Sequence, residues 1–60
     1  MFKQGDIVTF KNQVGKSYRQ ANYVVTSINK GNGKVWVRFI KSYTFWKLSP
    51  KDLIKVGHTN

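Results

Sequence analysis

Val, Ile and Thr supply fifteen of the sixty residues, while Ala and Leu together supply three. That balance favours pleated, half-buried surface over helix. A chain of this length buries only roughly 60% of its unfolded surface, so one domain is the ceiling. With no cysteine and a single histidine, His58, it has no disulfide framework, no thiolate nucleophile and no standard zinc site, and must hold together by core packing. No apolar run approaches the ~20 residues of a spanning helix. The stretch Met1-Phe2-Lys3-Gln4-Gly5-Asp6 also lacks a signal-peptide apolar region. The expectation is a small soluble domain of the reducing cytoplasm, without metal or cofactor, spanning residues 1–57 with 58–60 as a frayed tail.

Five short strands are expected. Asp6 to Lys11 follows Gly5 and sets Val8 and Phe10 on one face, Ile7 and Thr9 on the other. Lys11 to Gln20 carries no apolar repeat and reads as a long excursion. Ala21 to Asn29 is a β-branched run, and Lys30-Gly31-Asn32-Gly33-Lys34 is a turn in which Asn-Gly tolerates positive φ at both central positions. Val35 to Ile40 is the third strand, Lys41-Ser42 a polar connection and Tyr43 to Leu48 the fourth. Ser49-Pro50-Lys51-Asp52 suits one 3₁₀ turn, and Leu53 to Val56 closes the chain as a fifth strand. Such strands can curl into a small barrel that hides its edges.

Gly5-Asp6-Ile7-Val8-Thr9-Phe10, the Gly-rich central hairpin and Leu48-Ser49-Pro50-Lys51-Asp52-Leu53 with Val56 together resemble an SH3-like barrel. The nearest types are KOW, Tudor and retroviral-integrase C-terminal barrels. The likeness implies an all-β, five-stranded SH3-like barrel with a single 3₁₀ turn before the last strand. Three departures matter. Lys11 to Gln20 lacks the usual KOW turn, no aromatic cage of the methyl-lysine readers can be assigned, and the acidic early loop of peptide-binding SH3 domains is missing. The format suits a small bacterial or phage accessory protein.

Eleven Lys or Arg against two Asp give a formal charge of +9, an excess that points to a polyanionic partner. The plainer alternatives are a basic surface kept for solubility, or a subunit docking on an acidic protein. Strand parity sharpens the choice. Arg38 is costly to bury unpaired, so its face is outward and carries Trp36, leaving Val35, Val37 and Phe39 inside. Lys47 likewise sends Tyr43 and Phe45 outward, and Trp46 and Leu48 inward. The expected core is Val8, Phe10, Val25, Ile28, Val35, Val37, Phe39, Trp46, Leu48, Leu53 and Val56.

The candidate nucleic-acid-binding residues are therefore Lys34, Trp36, Arg38, Lys41, Tyr43, Phe45 and Lys47. Rings stack on bases, and cations neutralise phosphates. Against this, Tyr43 and Phe45 would merely cover a barrel end, or Trp36 would pack under the early loop. Lys11, Lys16, Tyr18 and Arg19 extend the surface if that loop drapes over a backbone groove; otherwise they are only solvated. Asp6, Asp52 and His58 form no catalytic constellation, and Asp6 and Asp52 stand where short carboxylates bond backbone amides. The Gly-rich turn lacks the length and following helix of a phosphate-cradling loop.

The expected function is non-enzymatic, largely sequence-independent binding of nucleic acid, with DNA slightly favoured over RNA through the integrase-type likeness. The rival is a protein-interaction module for an acidic partner such as a polymerase, nuclease or regulator. Either way a monomer or weak homodimer is expected, with no membrane partner.

Overall fold

A computed structural model describes residues 2–15 and 21–59. Five antiparallel strands form one sheet: β1 (Asp6–Phe10), β2 (Tyr23–Ile28), β3 (Val35–Phe39), β4 (Phe45–Leu48) and β5 (Leu53–His58). Their spatial order is β4-β3-β2-β1-β5, with every neighbouring pair antiparallel. The all-β expectation holds, and Pro50–Asp52 forms the expected 3₁₀ turn before the last strand. A second such turn, Lys11–Gln13, follows β1 inside the stretch read as an excursion. The sheet does not close: among the described residues β4 and β5 are its two free edges. No helix among them is long and apolar enough to cross a membrane.

Alternation places the core. Val8, Val25, Val35, Val37 and Leu53 are buried together, and Phe2, Phe10, Tyr23, Ile28 and Leu48 pack partly against them. Val25 and Ile28 lie three residues apart, a spacing that strict period-two alternation forbids for one face. A bulge resolves it: Val25 stands opposite Val37 and Ser27 opposite Trp36, leaving Thr26 as the extra residue. The Thr26 hydroxyl donates to the Trp36 carbonyl at 3.2 Å. Phe39 is half-buried and its ring lies 5.6 Å from that of Tyr23, which in turn meets Phe10 edge-on at 5.9 Å.

Two expected core residues, Val56 and Trp46, are exposed. Val56 is exposed because the β1–β5 register slips: Val8 opposes Lys55 and Ile7 opposes Gly57, so Val56 is bulged out. Trp46 does stand opposite Val37, on the expected side, but β4 is an edge strand and half of the indole remains in solvent. Thr9, expected on the outer face, is fully buried and its hydroxyl donates to the Ala21 carbonyl at 2.7 Å.

The turn between β2 and β3 also differs. Only Gly33 has positive φ, at 73°, so Asn32 does not share it as a two-residue Asn-Gly turn requires. Instead the loop is longer. Gly33 N–H donates to the Asn29 carbonyl, and Asn29 Oδ1 accepts from the N–H of Gly31 and of Asn32. Tyr43 falls in the turn before β4, which starts at Phe45 rather than at Tyr43. Gly57 and His58 belong to β5, and Thr59 N–H donates to the Gly5 carbonyl at 2.7 Å, so the end of the chain through Thr59 is tied down rather than frayed.

Candidate functional site

The face formed by β3 and β4 carries the sequence-derived candidates. Trp36 stands opposite Lys47, and Arg38 opposite Phe45. These are adjacent cross-strand pairs, close enough for side chains to interact directly and along the diagonal. Lys47 Nζ lies 5.8 Å from the centre of the Trp36 ring, and the Arg38 guanidinium 5.6 Å from that of Tyr43. The rings are solvent-exposed to different degrees: Trp36 is 39% exposed, Phe45 53% and Tyr43 85%.

Arg38 is half-buried and already engaged. Its Nη1 donates to the carbonyls of Ser42 at 3.2 Å and of Phe39 at 3.4 Å. It thereby braces the turn that presents Tyr43, in which Ser42 N–H returns to the Phe39 carbonyl and Phe39 N–H donates to Thr44. Lys41 is exposed on that same turn. Lys34 is half-buried at the other end of β3, its N–H held by Asn32 Oδ1 at 2.9 Å. The structure thus gathers Trp36, Arg38, Tyr43, Phe45 and Lys47, with Lys34 and Lys41 at the ends of β3.

The proposed loop extension is not gathered with them. Lys11 lies in the first 3₁₀ turn, lining a cavity of about 280 Å³ with Phe10, Asn12 and Asp52. It follows β1, which β2 separates from β3. Lys16, Tyr18 and Arg19 fall outside the described residues.

Two features were missed in the sequence. The first is Trp46, half exposed beside a cavity of about 260 Å³ on the inner side of the sheet. The second is a cluster around Asp6, whose carboxylate is buried at the entrance of β1. Asp6 Oδ2 accepts from Lys3 N–H at 2.8 Å, and Oδ1 accepts from His58 Nδ1 at 2.7 Å and pairs with Lys55 Nζ at 3.4 Å. The Lys3 amide, then His58, then Lys55 hold the carboxyl down at about 2, against the opposing effect of burial. Because the carboxylate is ionised, His58 Nδ1 carries the proton of that bond. The bond to Lys3 is the local amide contact expected of a short carboxylate; nothing in the sequence points to His58, fifty-two positions away.

Comparison with protein-family models, curated proteins and solved structures returned no match. The reading of the site therefore stands on its own chemistry.

Proposed function

We propose that this chain is a non-enzymatic nucleic-acid-binding domain, largely indifferent to base sequence, acting through the basic-aromatic face of β3, β4 and the turn between them. The observation that carries the reading is the set of solvent-exposed rings of Trp36, Tyr43 and Phe45 interleaved with Lys34, Lys41 and Lys47, on a chain of charge +9. Ring faces stack on bases and ammonium groups neutralise phosphates, a combination that needs no sequence readout. No helix is among the described residues to enter a major groove, which agrees with recognition by charge and shape. Strand order β4-β3-β2-β1-β5 and the 3₁₀ turn before β5 are compatible with a small β-barrel-like fold, and on its sequence likeness the domain is read as akin to SH3-like barrels of the KOW, Tudor and integrase C-terminal type. On that analogy DNA is favoured over RNA.

A second reading is a module that docks on an acidic protein. It is favoured by β4, a free edge with Phe45 exposed on one face and Trp46 on the other. Amide chemical-shift mapping during titration with random-sequence DNA and RNA at low salt decides between them. The nucleic-acid reading expects shifts concentrated at residues 34–47. Absence of binding to every DNA and RNA tested would sink it, and the protein-docking reading would then expect one acidic partner whose capture survives nuclease treatment.

A further inference from the structure

The cavity beside Trp46 lies on the opposite side of the sheet from the face just described, yet next to it in space. Phe45 and Trp46 are consecutive on β4, so their rings project to opposite faces. Among the described residues β4 pairs only with β3, which leaves its other edge open between those faces. The cavity, about 260 Å³, is lined by Ala21, Tyr23, Phe39, Ser42, Thr44 and Trp46. Three of its lining residues, Tyr23, Phe39 and Trp46, are aromatic, and Ser42 and Thr44 add aliphatic hydroxyls. Ser42 Oγ donates to Thr44 Oγ1 at 3.2 Å.

Building on the nucleic-acid reading, we infer that the ligand is single-stranded, that it crosses the free edge of β4, and that one unpaired base enters the cavity against Trp46. Three observations carry this. First, Trp36 on β3 and Phe45 on β4 are diagonal neighbours, and with Trp46 next in sequence the rings run from the outer face round the free edge of β4 to its inner side. Second, ring faces are open to solvent on both sides of β4: Trp36, Tyr43 and Phe45 on the outer face and its turn, Trp46 on the inner side. A duplex shows phosphates and hides its ring faces; a single strand shows both. Third, an open depression lined by three aromatic residues together with Ser42 and Thr44 suits a flat aromatic base with polar edges, and the lysines on the neighbouring face and turn suit the charge of its backbone.

The Trp36→Phe variant keeps a stacking ring and leaves Trp46 as the sole tryptophan. Its emission is recorded while labelled oligothymidylate, or a blunt duplex of equal length, is titrated and binding is followed independently by anisotropy. Expected is quenching of Trp46 along the single-strand binding isotherm. Trp46→Ala in the otherwise natural chain should weaken single-strand binding roughly 5- to 150-fold, the range of one base–aromatic stack, with duplex binding unmoved. Single-strand binding without quenching, or duplex binding as tight as single-strand binding, overturns this inference and leaves the broader reading standing. Failure of both oligonucleotides to bind removes the two together.

Discussion

Salt dependence offers the sharpest measure of how much of the +9 charge works at the site. The lysines on or beside the β3–β4 face are Lys34, Lys41 and Lys47, the last with its ammonium over the Trp36 ring; Arg38 donates to two carbonyls and rests against Tyr43. Neutralising three or four phosphates of a single strand gives a slope of log K against log salt of roughly −2 to −3. Between about 50 and 200 mM salt, affinity should then fall about 16- to 60-fold. Anisotropy titrations of a labelled oligonucleotide over that range read the slope directly. Lys47→Ala should flatten it by about 0.7, one phosphate's share, whereas Trp36→Ala should weaken binding with the slope unchanged. A slope steeper than about −5 takes seven or more phosphates. That outcome refutes the idea of a defined face, because it enlists lysines scattered over the whole chain. A slope near zero with measurable binding refutes phosphate contact altogether.

Two further predictions concern the scaffold. Gly5 has φ of 92°, and a Cβ there would lie 3.0 Å from Thr59 Oγ1; Gly5→Ala should cost roughly 1–2 kcal/mol from backbone conformation alone. A thermal melt should show Tm lower by at least about 4 °C, and an unchanged Tm would contradict the account of this junction. Asp6 titrates at about 2 in the folded chain against its ordinary 3.8, so its ionised form stabilises the fold. That stability is present above about pH 4 and is lost as pH falls toward 2, so urea midpoints should drop across this window. Asp6→Asn should lower stability at neutral pH and flatten the drop; an unaltered acid profile in the variant would assign it to other groups.

Much of the fold is legible because single residues impose it. Arg38 is too costly to bury on the inner face, and that one constraint sets the parity of β3, placing Val35 and Val37 inside and Trp36 outside. Pro50 marks the final 3₁₀ turn in the same way. What escaped the sequence depends on distant contacts. The bulges at Thr26 and Val56 are set by how two strands meet, not by either strand alone. Trp46 has the side of the sheet that alternation assigns, yet its exposure follows from β4 being an unpaired edge, a property of the whole sheet. Likewise His58 reads as part of a tail until the Asp6 carboxylate is seen to accept from its Nδ1. On the candidate face, the ring and cation positions are legible from parity. The prior commitment of Arg38 to the Ser42 and Phe39 carbonyls is not, because it arises from the turn's conformation.

The two acidic side chains explain why this face stays positive. Asp6 is buried and shared between Lys55 and His58, and Asp52 stands in the 3₁₀ turn before β5, beside Lys11 and Asn12. Among the described residues the ion pairs are those of Asp6, so no carboxylate competes for Lys34, Lys41 or Lys47. An uncompensated cluster of this kind attracts a polyanion and repels a second copy of itself. Pairing two β4 edges would set Lys47 of each chain near the other, a known device against edge-to-edge association. Exposed aromatic rings on an edge strand would ordinarily argue for self-assembly. Here the charge beside them opposes it, and on the function proposed above the same charge would favour a partner that brings both phosphates and ring faces.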